Sequence, residues 1–148
     1  MDQETVDYVA LQRLQSRYAD IVNRRAWPEL AQIFVPDIRV TLDVRDHTVE
    51  LNGPNEVGEF IGTAIGNMDL IEFVILNSVI DLEGDTASSR MFMWELRHDP
   101  ADGRTNAYGL YRDRYARLDG RWWFAGRTYC SIARTIGDTC TVFPLPAL

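Results

Sequence analysis

Residues 111–129 read YRDRYARLDGRWWFAGRTY. Asp119 and Gly120 separate two arms rich in aromatics and arginines, and Asp-Gly between β-prone arms signals a hairpin. Alternation in the first arm places Tyr111, Asp113 and Tyr115 on one face, with Arg112 and Arg114 on the other. Trp122 and Trp123 are consecutive and so face opposite sides of the second arm. One of them enters a core, and the other meets an outer face or an interface. The hairpin extends over NAYGLYRDRYARL and RWWFAGRTYCSIA.

Working outward, IEFVILNSVIDLEG turns at Gly84-Asp85 into TASSRMFMWELRH, and DPADGR punctuates the next turn. Four long antiparallel strands therefore follow residue 70. Toward the N-terminus, residues 53–66 read as a helix with Pro54 in its first turn and Val57, Phe60, Ile61 and Ile65 on one face. Its glycines count against it. Residues 38–44 alternate as a half-buried strand, and TVELN (48–52) is its hairpin partner. Residues 5–26 read as a helix, because Leu11, Leu14, Tyr18 and Ile21 recur at helical spacing. A second short helix starts at AWPEL, with Pro28 in its first turn. Helices segregated from strands predict an α+β domain with helices on one face of a sheet. The expected organisation is one domain over 1–136 and a C-terminal arm, 137–148, packing on the body or on a partner.

The 148 residues carry a net charge of −7, with 46% apolar and 25% charged residues. An acidic balance excludes the basic footprint of a nucleic-acid binder and any attraction to an anionic membrane. All 15 basic residues are arginine, which removes lysine Schiff-base chemistry and the P-loop lysine. Cys130 and Cys140 form no C-x-x-C, and His47 and His98 do not cluster with them, so neither a metal nor another cofactor is expected. The acidic N-terminus lacks a basic and apolar leader, and cytoplasm is the expected compartment.

The ordered set LQSRYADIVNRRAWPELAQIFVPDIRV, LNGPNEVGEFI, LNSVIDLEGDTASSRMF and YRDRYARLDGRWWFAGR resembles the nuclear-transport-factor-like cones. Within them it is similar to the SnoaL-like branch that includes scytalone dehydratase and ketosteroid isomerase. The resemblance implies a cone-shaped α+β fold: a strongly curved mixed or antiparallel sheet, with about three N-terminal helices closing an internal cavity. It implies a hydrophobic, oxygen-bearing small molecule as ligand, and cofactor-free lyase, isomerase or cyclase chemistry. The branch also holds non-catalytic proteins and assembly subunits such as dioxygenase β subunits, and fold alone does not choose among them.

By that resemblance Tyr18 falls at the tyrosine that hydrogen-bonds the substrate oxygen in ketosteroid isomerase, and Asp113 at that enzyme's protonated aspartic acid. Arg90 falls at a catalytic histidine of scytalone dehydratase. These three are the catalytic candidates. Asp113 is alternatively the ion-pair partner of an arginine on an adjacent strand. Arg90 is alternatively paired with Asp113 or Glu95, or on the far side of the sheet. Substrate-binding candidates are Asn23, Leu42, Val74, Phe92, Trp94 and Tyr111. Departures accompany the match: Val74 stands near the second histidine, Asn23 replaces an aspartate, and Leu42 occupies the general-base position. The family's obvious base is therefore missing. A homodimer is expected, because an outward tryptophan and a proline-rich tail leave apolar surface to cover.

Overall fold

A computed structural model describes residues 1–148. α1 (Gln3–Arg24) starts at Asp2, whose carboxylate accepts from the Thr5 amide at 2.8 Å. It ends at Arg25, which adopts the left-handed conformation (φ 56°). Leu11, Leu14, Tyr18, Ile21 and Val22 form its buried stripe. A 3₁₀ helix (Trp27–Gln32) follows, and α2 spans Gly53–Ala64. The α2 glycines have a packing reason. A Cβ at Gly62 would stand 2.9 Å from the Trp27 indole nitrogen, so glycine lets that ring lie on the helix.

The strands are β1 (Arg39–Asp43), β2 (Thr48–Asn52), β3 (Leu70–Glu83), β4 (Thr86–Asp99), β5 (Gly103–Leu118), β6 (Arg121–Ile136) and β7 (Thr139–Val142). Their order is β2-β1-β6-β5-β4-β3, with β7 also on β6. All pairs are antiparallel except β1 with β6. β1 and β7 share one edge of β6: β1 pairs with residues 127–130 and β7 with residues 133–136. The sheet is mixed and unclosed, and the helices cover its inner face. The tail runs back over the outer face, where Arg112 donates to the Ala147 carbonyl at 3.0 Å. No helix is long and apolar enough to cross a membrane.

Bulges set which side chains point inward. Phe124 is fully buried, so strict alternation would turn Arg127 outward. Tyr115 pairs with Phe124 but Arg114 pairs with Gly126, leaving Ala125 as an extra residue. That residue reverses the phase, and Arg127 enters the core opposite Asp113. Similar register shifts fall at Leu76 in β3 and at Ile132 in β6.

Candidate functional site

The cone encloses a cavity of about 270 Å³, walled by α1, α2 and the inner faces of β1, β4, β5 and β6. Its lining is mainly apolar, with Val22, Val40, Leu42, Val57 and Phe60 among the contributors. Alternation along β1, read correctly from sequence, brings in Val40 and Leu42. Tyr18 arrives from the buried stripe of α1 and Tyr111 from β5. Tyr129 completes a trio of phenols, its ring 4.8 Å from that of Tyr111. Gly109 makes room for it, since a Cβ there would overlap the Tyr129 ring.

Arg127 borders the cavity and is almost wholly excluded from solvent. Asp113 grips it through two hydrogen bonds, Nε to Oδ1 at 2.7 Å and Nη2 to Oδ2 at 3.0 Å. The guanidinium carbon lies 4.0 Å from the Tyr18 ring centre and 4.1 Å from that of Tyr111. The third nitrogen, Nη1, has no hydrogen-bond partner in the protein. Burial is the largest influence and works against this cation, but the charge and hydrogen bonds of Asp113, together with Tyr18 and Tyr111, outweigh it and hold its pKa above the ordinary arginine value. Burial also pushes the Tyr18 and Tyr111 phenols up, although Arg127 pulls both the other way. Both phenols therefore stay protonated at neutral pH and remain hydrogen-bond donors.

Behind Asp113 runs a buried polar chain. The Tyr115 hydroxyl reaches Asp113 at 3.5 Å, Ser89 and Tyr115 share a hydrogen bond of 2.8 Å, and the Gln15 amide donates to Tyr115 at 3.0 Å. Asp113 therefore serves Arg127 and is not among the residues lining the cavity. This corrects its expected contact with ligand and leaves the ion-pair alternative as the observed one.

Glu95 is the one carboxylate on the cavity wall. Its side chain is 13% exposed and takes two hydrogen bonds from Arg97, at 2.8 and 2.5 Å. Its charge raises the pKa of Tyr18, Tyr111 and Tyr129, so it acts on all three phenols. His47, Ser131 and Arg134 complete the polar part of the wall. Arg134 is tied to Asp46 at 3.0 Å and to the Val44 carbonyl.

Of the residues singled out from sequence, Tyr18, Leu42 and Tyr111 line the cavity. Arg90, Phe92 and Trp94 do not, and this is a correction. β4 presents Ala87, Ser89, Met91 and Met93 inward, so the alternate set faces outside. Arg90 is exposed, and Trp94 stacks on Tyr108 while donating to Asn106 at 2.9 Å. Val74 pairs with Trp94 and shares its outward face. Asn23 is corrected as well. It accepts from the Phe73 amide at 2.6 Å and returns a bond to the Phe73 carbonyl, pinning β3 to α1. Arg127 and Glu95 went unrecognised as wall residues. Glu95 shares the phase of Met91 and Met93, and that was its available signal.

A family model described as SnoaL-like domain matches residues 3–128. Among solved structures, a hexachlorocyclohexane dehydrochlorinase (LinA) Type2 superimposes with TM-score 0.81 at 19% identity, covering 98% of this chain and 97% of its own. A function-unknown protein from Mycobacterium tuberculosis gives 0.76 at 21% identity, covering 88% and 74% respectively. An NTF2-like protein with a cystatin-like fold from Novosphingobium aromaticivorans gives 0.72 at 19%, covering 87% and 84%. These likenesses carry the fold, and the matched span carries the classification: the chain belongs to the SnoaL-like domain family.

Proposed function

We propose that this protein binds a one- or two-ring hydrophobic molecule bearing a carbonyl or phenolic oxygen and moves a proton on it without a cofactor. The carrying observation is Arg127: a buried cation on the cavity wall with Nη1 unpartnered. A cavity of about 270 Å³ lies just under the roughly 300–1,000 Å³ of drug-sized sites, which favours a small ligand. In this reading Tyr18 and Tyr111 donate hydrogen bonds to the ligand oxygen, and the Arg127 charge stabilises it as negative charge develops. Glu95 takes a proton from the neighbouring carbon and returns it, or leaves it with a departing group. Elimination, isomerisation and cyclisation all fit that step. Asp113 is a positioning residue, holding Arg127 in place.

The Glu95–Arg97 pair favours a second reading, a non-catalytic binder, because both carboxylates near the ligand already have arginine partners. One experiment separates the two. Thermal unfolding is followed with a panel of small ring ketones, phenols and aryl carboxylates, on wild type, Tyr18→Phe and Glu95→Gln. A ligand at a hundred times its dissociation constant adds roughly 2.7 kcal/mol of stability. The proposal expects a stabilising ligand whose effect shrinks in Tyr18→Phe. It also expects turnover of that ligand to fall about 10²–10³-fold on loss of one donor and to vanish in Glu95→Gln. Binding kept in Glu95→Gln, with no turnover by wild type, selects the binder. No stabilisation by any ring compound counts against both.

A further inference from the structure

On the outer face of the sheet, across from the cavity, four arginines gather without acidic partners. The strand register fixes their arrangement. Arg90 of β4 stands directly opposite Arg112 of β5, and Thr128 of β6 and Thr41 of β1 continue that row. In the next row Asp81, Ser88, Arg114 and Gly126 follow one another, with Arg39 at the β1 end. All four arginines are exposed, and they border one groove of about 490 Å³ with the hydroxyl-bearing Thr41, Ser88 and Thr128.

None of the chain's ion pairs uses Arg39, Arg90, Arg112 or Arg114. Asp81 is the one acidic side chain on the groove wall that is not already paired, since Asp113 is held by Arg127. The C-terminal residues close one rim: the Ala147 carbonyl accepts from Arg112, and Leu148 borders the groove without forming an ion pair with any of the four arginines. Like charges directly opposite across a strand pair destabilise a sheet. In a chain with a net charge of −7, concentrating four uncompensated arginines on adjacent strands is a local conflict. A bound anion resolves it.

From this arrangement we infer that the outer groove is a binding site for a tetrahedral oxyanion, a phosphate-type group on a small molecule. A carboxylate has two oxygens and is served by one arginine fork. Four forks and the Ser88 hydroxyl offer more donors than that, enough for the three or four acceptor oxygens of a phosphate, while the Thr41 and Thr128 hydroxyls already donate to Glu50 and to the Arg112 carbonyl. Gly126 gives the groove a floor free of side chain, and the Arg114 guanidinium lies over it, 2.5 Å from where a Cβ would stand. The buried Asp113–Arg127 pair lies between groove and cavity, and Arg127 lines both, but the inference rests on the four exposed arginines, none of which lines the cavity.

The test is calorimetric titration of inorganic phosphate into the full chain against chloride at matched ionic strength. Wild type is compared with Arg112→Gln and with Arg90→Gln combined with Arg112→Gln. The substituted side chains are exposed, so melting temperatures in chloride should hold or rise as repulsion is relieved. Saturable binding is expected in wild type and at least tenfold weaker binding in the double variant, with sulfate competing and acetate not. Four results would overturn the site: no saturable heat with phosphate or sulfate, equal affinity in the double variant, acetate binding as tightly as phosphate, or a change in molecular mass by light scattering in the double variant. The last would reassign the arginines to contact with a second copy of the chain.

Discussion

Arg127 and Asp113 show how much one buried pair can govern. Both side chains are dehydrated, and a charge in that environment is tolerable only while its partner is present. Asp113→Ala should therefore cost about 3–5 kcal/mol, seen as a drop in the urea midpoint with unchanged slope. Asp113→Leu with Arg127→Met should recover most of that loss, since an apolar pair of similar size removes the buried charge altogether. If the double variant is as unstable as the single one, the cost came from packing and the electrostatic account is wrong. Arg90→Gln, by contrast, touches no buried group and should change stability by less than about 0.5 kcal/mol.

At the level of the strand, the β-bulge at Ala125 and the missing side chain of Gly109 do the positioning. The bulge lets one strand present Phe124 and Arg127 to the same interior, which no bulge-free strand allows. Gly109 gives Tyr129 a place against β5. Gly109→Ala should expel that ring from the cavity wall. Overpacking of this kind costs roughly 1–3 kcal/mol. The same variant should weaken any cavity ligand while leaving phosphate binding on the outer face unchanged. A crystal structure of the variant with Tyr129 unmoved would contradict this.

Across the whole molecule, α1 is held to the sheet at both ends. Near its C-terminus Asn23 binds the β3 backbone, and Arg25 donates to the Ile65 and Met68 carbonyls at 3.0 and 2.6 Å. Near its N-terminus Asp7 takes hydrogen bonds from the Trp122 indole at 3.0 Å and from Arg117 at 2.5 Å. Burial raises the Asp7 pKa, but the bonds from Trp122, Gln3 and Arg117 outweigh it and hold the carboxyl below its ordinary 3.8. A depressed folded value means the contribution is full above the unfolded pKa and is lost as pH falls through the folded one. Stability should thus decline below about pH 4 partly through this residue. Asp7→Asn should lower stability at pH 7 and flatten the acid limb. An acid limb of unchanged steepness would remove Asp7 from the account.

The sequence by itself determined the helices and the first six strands in their order, while β7 (Thr139–Val142) lies in the segment expected to be an arm and forms only by pairing with β6. Period-3.6 and period-2 apolar patterns, Pro28 and Pro54 in first turns, and the Gly84-Asp85 and Asp119-Gly120 turns are local signals. Local signals fix helices, strands and hairpins. Tyr18, Leu42 and Tyr111 were legible as inward residues for the same reason. Tertiary structure decided the phase of β4 and β6. On β4 both alternating sets contain bulky apolar residues: Phe92 and Trp94 on one face, Met91 and Met93 on the other. The packed interior took the unbranched methionines, together with Ala87 and Ser89, and sent Arg90 outside. On β6 an unpaired residue reversed the alternation, and nothing in composition marks Ala125 as that residue. The union of Asp113 with Arg127, 14 residues apart, and of Tyr18 with both, exists only after strands and helix are assembled. Side-chain direction in a sheet is a parity, and one bulge inverts it for every residue that follows.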